Sequence, residues 1–223
     1  MRRGTRLRGW LVFNGLALVM FGAFAVFLAL QSVFGWQAMN GELADFGRPP
    51  ESYLAYVTSG DFVEATFENW ESEFLQIGFY VLLTAFLVQR GSAESNPPGR
   101  RRGETVQVRA DSPWAARPGR PRVVRWMYEN SLSSALIGMF LLSFGLHLLG
   151  GTAAYDAKQA LHGKPGVGVL QFLASPQFWF QSMQNWQSEF LAVGMLVVLS
   201  VVLRQRGSSQ SKPVGAPHDE TPT

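Results

Sequence analysis

Asn69-Trp70-Glu71-Ser72-Glu73-Phe74-Leu75 returns 116 residues later as Asn185-Trp186-Gln187-Ser188-Glu189-Phe190-Leu191. The same offset pairs Trp10 with Trp126, Asn14 with Asn130, Gly22 with Gly138 and Phe24 with Phe140. It also pairs Gly47-Arg48-Pro49 with Gly163-Lys164-Pro165, and Gln89-Arg90-Gly91-Ser92 with Gln205-Arg206-Gly207-Ser208. Without a gap, about 28 of roughly 83 aligned positions are identical, which is what a duplicated structural unit leaves behind. Each motif sets a carboxylate beside a long apolar run.

The charges leave four such runs. None lies between Arg8 and Glu42, Glu73 and Arg90, Glu129 and Asp156, or Glu189 and Arg204. Uncharged stretches of about 20 residues are long enough to cross a hydrocarbon core of about 30 Å. The near-zero mean hydropathy of +0.06 averages such spans with very polar loops. The expected fold is therefore all-α: an integral membrane protein with four transmembrane helices, arranged as two parallel two-helix repeats, plus outer helical segments. The expected divisions are a first repeat over 1–92, a disordered cytoplasmic linker over 93–122, a second repeat over 123–208, and a disordered cytoplasmic tail over 209–223. The chain has no cysteine, which excludes disulfides, thiolate metal sites and a cysteine nucleophile.

The first span is expected over about 10–34. Arg2, Arg3, Arg6 and Arg8 precede it as they would a signal peptide, but its partner run lies inside the chain. Gln37–Phe46 has helical composition, Gly47 is a helix stop, and 51–57 reads as a short helix. Ser59 and Ser175 are N-cap candidates, with Pro176 at the favoured first position. The second and fourth spans are expected over about 69–88 and 185–203. Two readings stay open: one long helix starting at Ser59, or a surface segment leading into a span. Trp10, Trp36, Trp70, Trp126 and Trp186 are the expected interfacial anchors. The loops 35–65 and 151–178 hold only Arg48, Lys158 and Lys164 of 19 basic residues. By the positive-inside rule both termini and the linker face the cytoplasm, and both repeats share one orientation. The sequence pI near 9.5 thus reads as topology, with the lipid bilayer as partner and no nucleic acid.

The two motif copies, the Gly-x-Pro loops, Gln-Phe-Trp-Phe at 177–180 and Leu-Arg-Gln-Arg-Gly-Ser at 203–208 resemble a family of bacterial membrane proteins known only as a domain of unknown function. The resemblance implies a bacterial four-span protein of the plasma membrane. It brings no activity, cofactor or site residue.

The candidate polar residues are Asn69, Glu73, Asn185, Glu189 and His147. If a helix begins at Asn69, that side chain caps it and Glu73 sits in the first turn, where the dipole favours negative charge. If it begins at Ser59, Glu73 lies mid-helix. Asn69 and Glu73 share a helix face, as do Asn185 and Glu189. Such stripes serve inter-helix packing, or line an ion or proton path. His147 is expected at a similar depth, so a Glu73/Glu189/His147 cluster is the one arrangement that offers metal binding or proton relay. Motifs for phosphate, dinucleotide, zinc-protease or serine-hydrolase chemistry are absent, so neither an enzyme nor a cofactor is expected. The first function expected is structural or interactive, with Asn/Glu stripes joining helices. The alternative is a small ion or proton conductor using Glu73 and Glu189, for which a homodimer would thicken the wall around a pore.

Overall fold

The computed structural model describes residues 9–96, 113 and 119–221. Most of the expected linker lies outside the described residues. The described chain is helical, with no strand. Its elements are α1 (Gly15–Asp45), α2 (Tyr53–Val57), α3 (Gly60–Thr84), α4 (Arg122–Glu129), α5 (Ser131–Leu161), α6 (Val169–Leu173) and α7 (Pro176–Val202). The starts of α1, α2 and α3 recur 116 residues later in α5, α6 and α7.

Local geometry explains where these helices stop. α1 and α5 are each 31 residues, about 46 Å at 1.5 Å per residue, so both outrun a hydrocarbon core of about 30 Å. The 37–46 stretch is thus a continuation of α1, not a separate helix, because nothing breaks the chain before Gly47. Gly47 (φ 65°) and Gly163 (φ 68°) adopt the left-handed conformation that ends each helix. Asn14 and Asn130 share one backbone geometry, φ −113° and ψ 12°. Each donates its side-chain amide to the carbonyl of the tryptophan four residues before it, at 2.8 and 2.7 Å.

The chain forms two compact units. The first comprises 1–63 and 150–167. Here α2 folds back on α1: the Tyr53 and Ser32 hydroxyls hydrogen-bond at 2.8 Å, and Trp36 donates to the Glu51 carbonyl at 2.7 Å. The side chain of Asn40 accepts from the Glu51 amide at 2.7 Å. Asp156 does the same for Val167 at 2.6 Å, at the same offset. Gly60 lies against α5 so closely that a Cβ there would meet the Ala154 nitrogen at 2.6 Å and the Gly150 oxygen at 2.7 Å. Two contacts join residues 116 apart: Phe46 against His162, with centroids 5.2 Å apart, and Lys158 with Glu42 at 3.7 Å.

The second unit comprises 64–149 and 168–223. α3 runs unbroken from Gly60, so the account of Asn69 as an N-cap fails. Its helix ends at Thr84, four residues short of the expected span end. The Ser175 side chain accepts from the Phe178 amide at 3.3 Å, capping α7 as expected. Beyond α7 the Lys212 ammonium donates to the carbonyls of Pro217, His218 and Glu220 at 2.8–3.1 Å, since a single cation can gather several carbonyls.

The burial pattern is inverted relative to a water-soluble fold. Five apolar residues are buried among the described ones, against thirteen polar or charged ones. α1 buries only Ser32, while Phe13 and Leu16 are 89 % and 80 % exposed. Helices with polar interiors and apolar exteriors suit a hydrocarbon solvent.

Candidate functional site

Within the second unit, α3 turns a carboxylate-bearing face toward α7. Glu64, Glu68 and Glu71 stand at i, i+4 and i+7, so they share one stripe. Gln181 donates to Glu64 at 2.8 Å, and Asn185 donates to Glu68 at 2.6 Å. Gln76 donates to the backbone oxygen of Glu189 at 2.9 Å. Residue numbers rise together along the two helices, so α3 and α7 run in the same direction.

Glu71 ends the acidic stripe and is fully buried. Its Oε1 accepts from the Ser182 hydroxyl at 2.8 Å and from the Trp186 indole N–H at 3.0 Å. Its Oε2 lies 2.9 Å from Nδ1 of His147, which is also fully buried. An ionised Glu71 can only accept at Oε2, which assigns the shared proton to Nδ1. The other ring nitrogen, Nε2, is buried and has no hydrogen-bond partner. The imidazole stacks on Phe178 at 4.8 Å and 27°. Phe178 is itself 0 % exposed and meets Phe144 and Phe172 edge-on. Three helices therefore converge on one buried carboxylate–imidazole site: α3 through Glu71, α5 through His147, and α7 through Ser182, Trp186 and Phe178.

The expected site residues distribute differently. Asn69 turns its amide back to the Ala65 carbonyl at 2.8 Å on its own helix. Glu73 is exposed, and Glu189 is half-buried and within electrostatic reach of it. Asn185 does join α3, but through Glu68. His147 pairs with Glu71 and not with the Glu73/Glu189 pair, because Glu71 and Glu73 point about 200° apart on a helix. Among the described residues no group of three or more acidic or histidine side chains is placed to hold a metal. Of the five tryptophans expected as anchors, Trp10 and Trp126 are 54 % and 63 % exposed. Trp36 binds a loop carbonyl, Trp70 packs on Phe67 and Phe74, and Trp186 serves Glu71.

Sequence reasoning missed Glu71, Ser182 and Phe178. One signal was present: the offset sets Glu71 against Gln187 and His147 against Gln31, so both ionisable members of the pair are amides in the other copy.

The first unit holds a cleft of about 680 Å³, lined in part by Glu42, Glu51 and Asp61 together with Arg48 and Lys158. Burial pushes the Asp61 carboxyl above its usual range, and Glu42 adds to this, while its backbone hydrogen bond and Lys158 act in the opposite sense.

Among the described residues three helices, α1, α5 and α7, are long and apolar enough to cross a membrane. With that pattern the chain has the character of a multi-helix membrane protein. It belongs to the family described as Domain of unknown function (DUF6766), whose model matches residues 7–223. No curated protein and no solved structure matches it.

Proposed function

We propose that the chain is a multi-pass protein of the bacterial plasma membrane with a structural or interaction role, not a catalytic one. In this reading α3 supplies the fourth span, the chain is two parallel two-helix repeats, and both termini are cytoplasmic. The observation that carries the role is the buried Glu71 carboxylate, whose three donors come from α5 and α7. A charge in a low-dielectric interior is tolerated only when it is paired and hydrogen-bonded. Such a site fastens three helices in one register. α3 falls outside the three apolar helices because its first half carries Asp61, Glu64, Glu68, Glu71 and Glu73. In this reading those carboxylates are tolerated because most of them face α7 and α5 instead of lipid.

The absence of cysteine makes the α3–α7 register directly testable. E68C/N185C should crosslink in native membranes, and E73C/N185C should not. Equal crosslinking of both pairs would overturn the register. A second reading, conduction through Glu73 and Glu189, draws on the electrostatic proximity of these two carboxylates. It requires proton flux in liposomes that disappears in E73Q/E189Q, and flux unchanged by that substitution would exclude it.

A further inference from the structure

We propose that the Glu71–His147 pair is a proton-binding site, buried where α3, α5 and α7 meet, which takes up one proton at His147 Nε2. The residues are those of the packing role, but here the site also has a ligand.

Four observations converge. The Glu71 carboxylate accepts three hydrogen bonds, a set of partners that suits a charged acceptor. Because Nδ1 donates to it, the neutral imidazole presents Nε2 as a bare lone pair, and this nitrogen is buried and unpartnered. The ring lies over the face of Phe178, whose negative quadrupole attracts a cation. Finally, at the 116-residue offset the sequence sets Trp70 against Trp186, Phe62 against Phe178 and Thr66 against Ser182, but Gln187 and Gln31 against Glu71 and His147. Amides do not take up protons in water, so of the two aligned sets only one carries ionisable groups.

Uptake is balanced simply. A proton from water binds the Nε2 lone pair, no other bond breaks, and the pair passes from a net charge of −1 to 0. The charged groups facing the imidazole are few. From α3 they are Glu71 and, within electrostatic reach, Glu68, which Asn185 holds. From α7 come Ser182, Trp186 and Phe178, and from α6 Phe172 behind Phe178, none of which titrates in the neutral range.

The test is ¹⁵N NMR of the histidine side chains in the full-length protein in detergent, with H162Q/H218Q isolating the His147 signals. On acidification Nε2 should pass from lone-pair to protonated character in one step. The Trp186 indole N–H should move with it, and E71Q or the milder E71D should displace the midpoint. A ring that keeps one protonation state throughout the titration, or a transition indifferent to Glu71, would overturn the proposal. Destabilisation by H147Q in that same case would leave the packing role standing, so the two claims fail separately.

Discussion

Glu71 and Glu73 are two residues apart and meet opposite fates. Glu71 is sealed among three donors, whereas Glu73 is exposed. A helix turns about 100° per residue, so side chains two apart cannot serve the same neighbour. The motif announced a costly carboxylate, but which of its two carboxylates would be buried depended on a partner 76 residues away. Removing either partner of this buried hydrogen bond leaves buried polar groups unsatisfied and costs about 1–3 kcal/mol. E71Q and H147Q should each lower the melting temperature in detergent accordingly. E71Q/H147Q removes both ionisable groups at once, so it should lose less than the two singles combined, with coupling of about 0.5–3 kcal/mol. Asp61 gives a separate expectation. Its carboxyl is raised chiefly by burial, so the fold prefers the protonated acid. That stabilisation is present at low pH and is lost as pH rises through the folded-state value. D61N should therefore raise the melting temperature at neutral pH, and the gain should shrink below the ordinary carboxylate range.

Helix ends were the most legible feature. Gly47, Gly163, Ser59 and Ser175 act through local backbone chemistry, which a short window of sequence contains. The lengths of α1 and α5 were less legible: the apolar pattern ends near Phe34, but no breaker stops the helix before Gly47. The α3–α7 ladder was half visible. Asn185 was expected to bind across helices and does so, but through Glu68, which was not among the candidate residues. The Lys212 contacts were not visible at all, since it reaches carbonyls that carry no side-chain signature. Gly60 tests packing between elements of the first unit. A side chain there meets α5 backbone, which cannot swing aside, so G60V should cost about 1–3 kcal/mol. Gly41 has open space around it and sits inside α1, so G41A should be neutral or gain up to about 1 kcal/mol in helix propensity. Melting curves of the two variants provide the comparison.

Across the whole molecule, the described residues put polar groups inside and apolar ones outside, and three helices pass as spans by length and composition. The internal duplication argues that α3, the counterpart of α7, is the fourth. The 116-residue offset was readable because it needs only identities. The structure repeats local geometry at that offset down to paired serine contacts: Ser95 accepts from Gln89 N–H, and Ser211 from Gln205 N–H, each at 2.8 Å. Charge bias adds the direction, with few basic residues in either loop between paired helices. The most direct measurement is labelling of single cysteines by a membrane-impermeant thiol reagent in spheroplasts, at Arg48, Arg109, Lys164 and Gln210. If α3 crosses the membrane, R48C and K164C label from outside, and R109C and Q210C label only after lysis. If α3 does not cross, R48C and R109C share one side, and the four-span, two-repeat account is wrong.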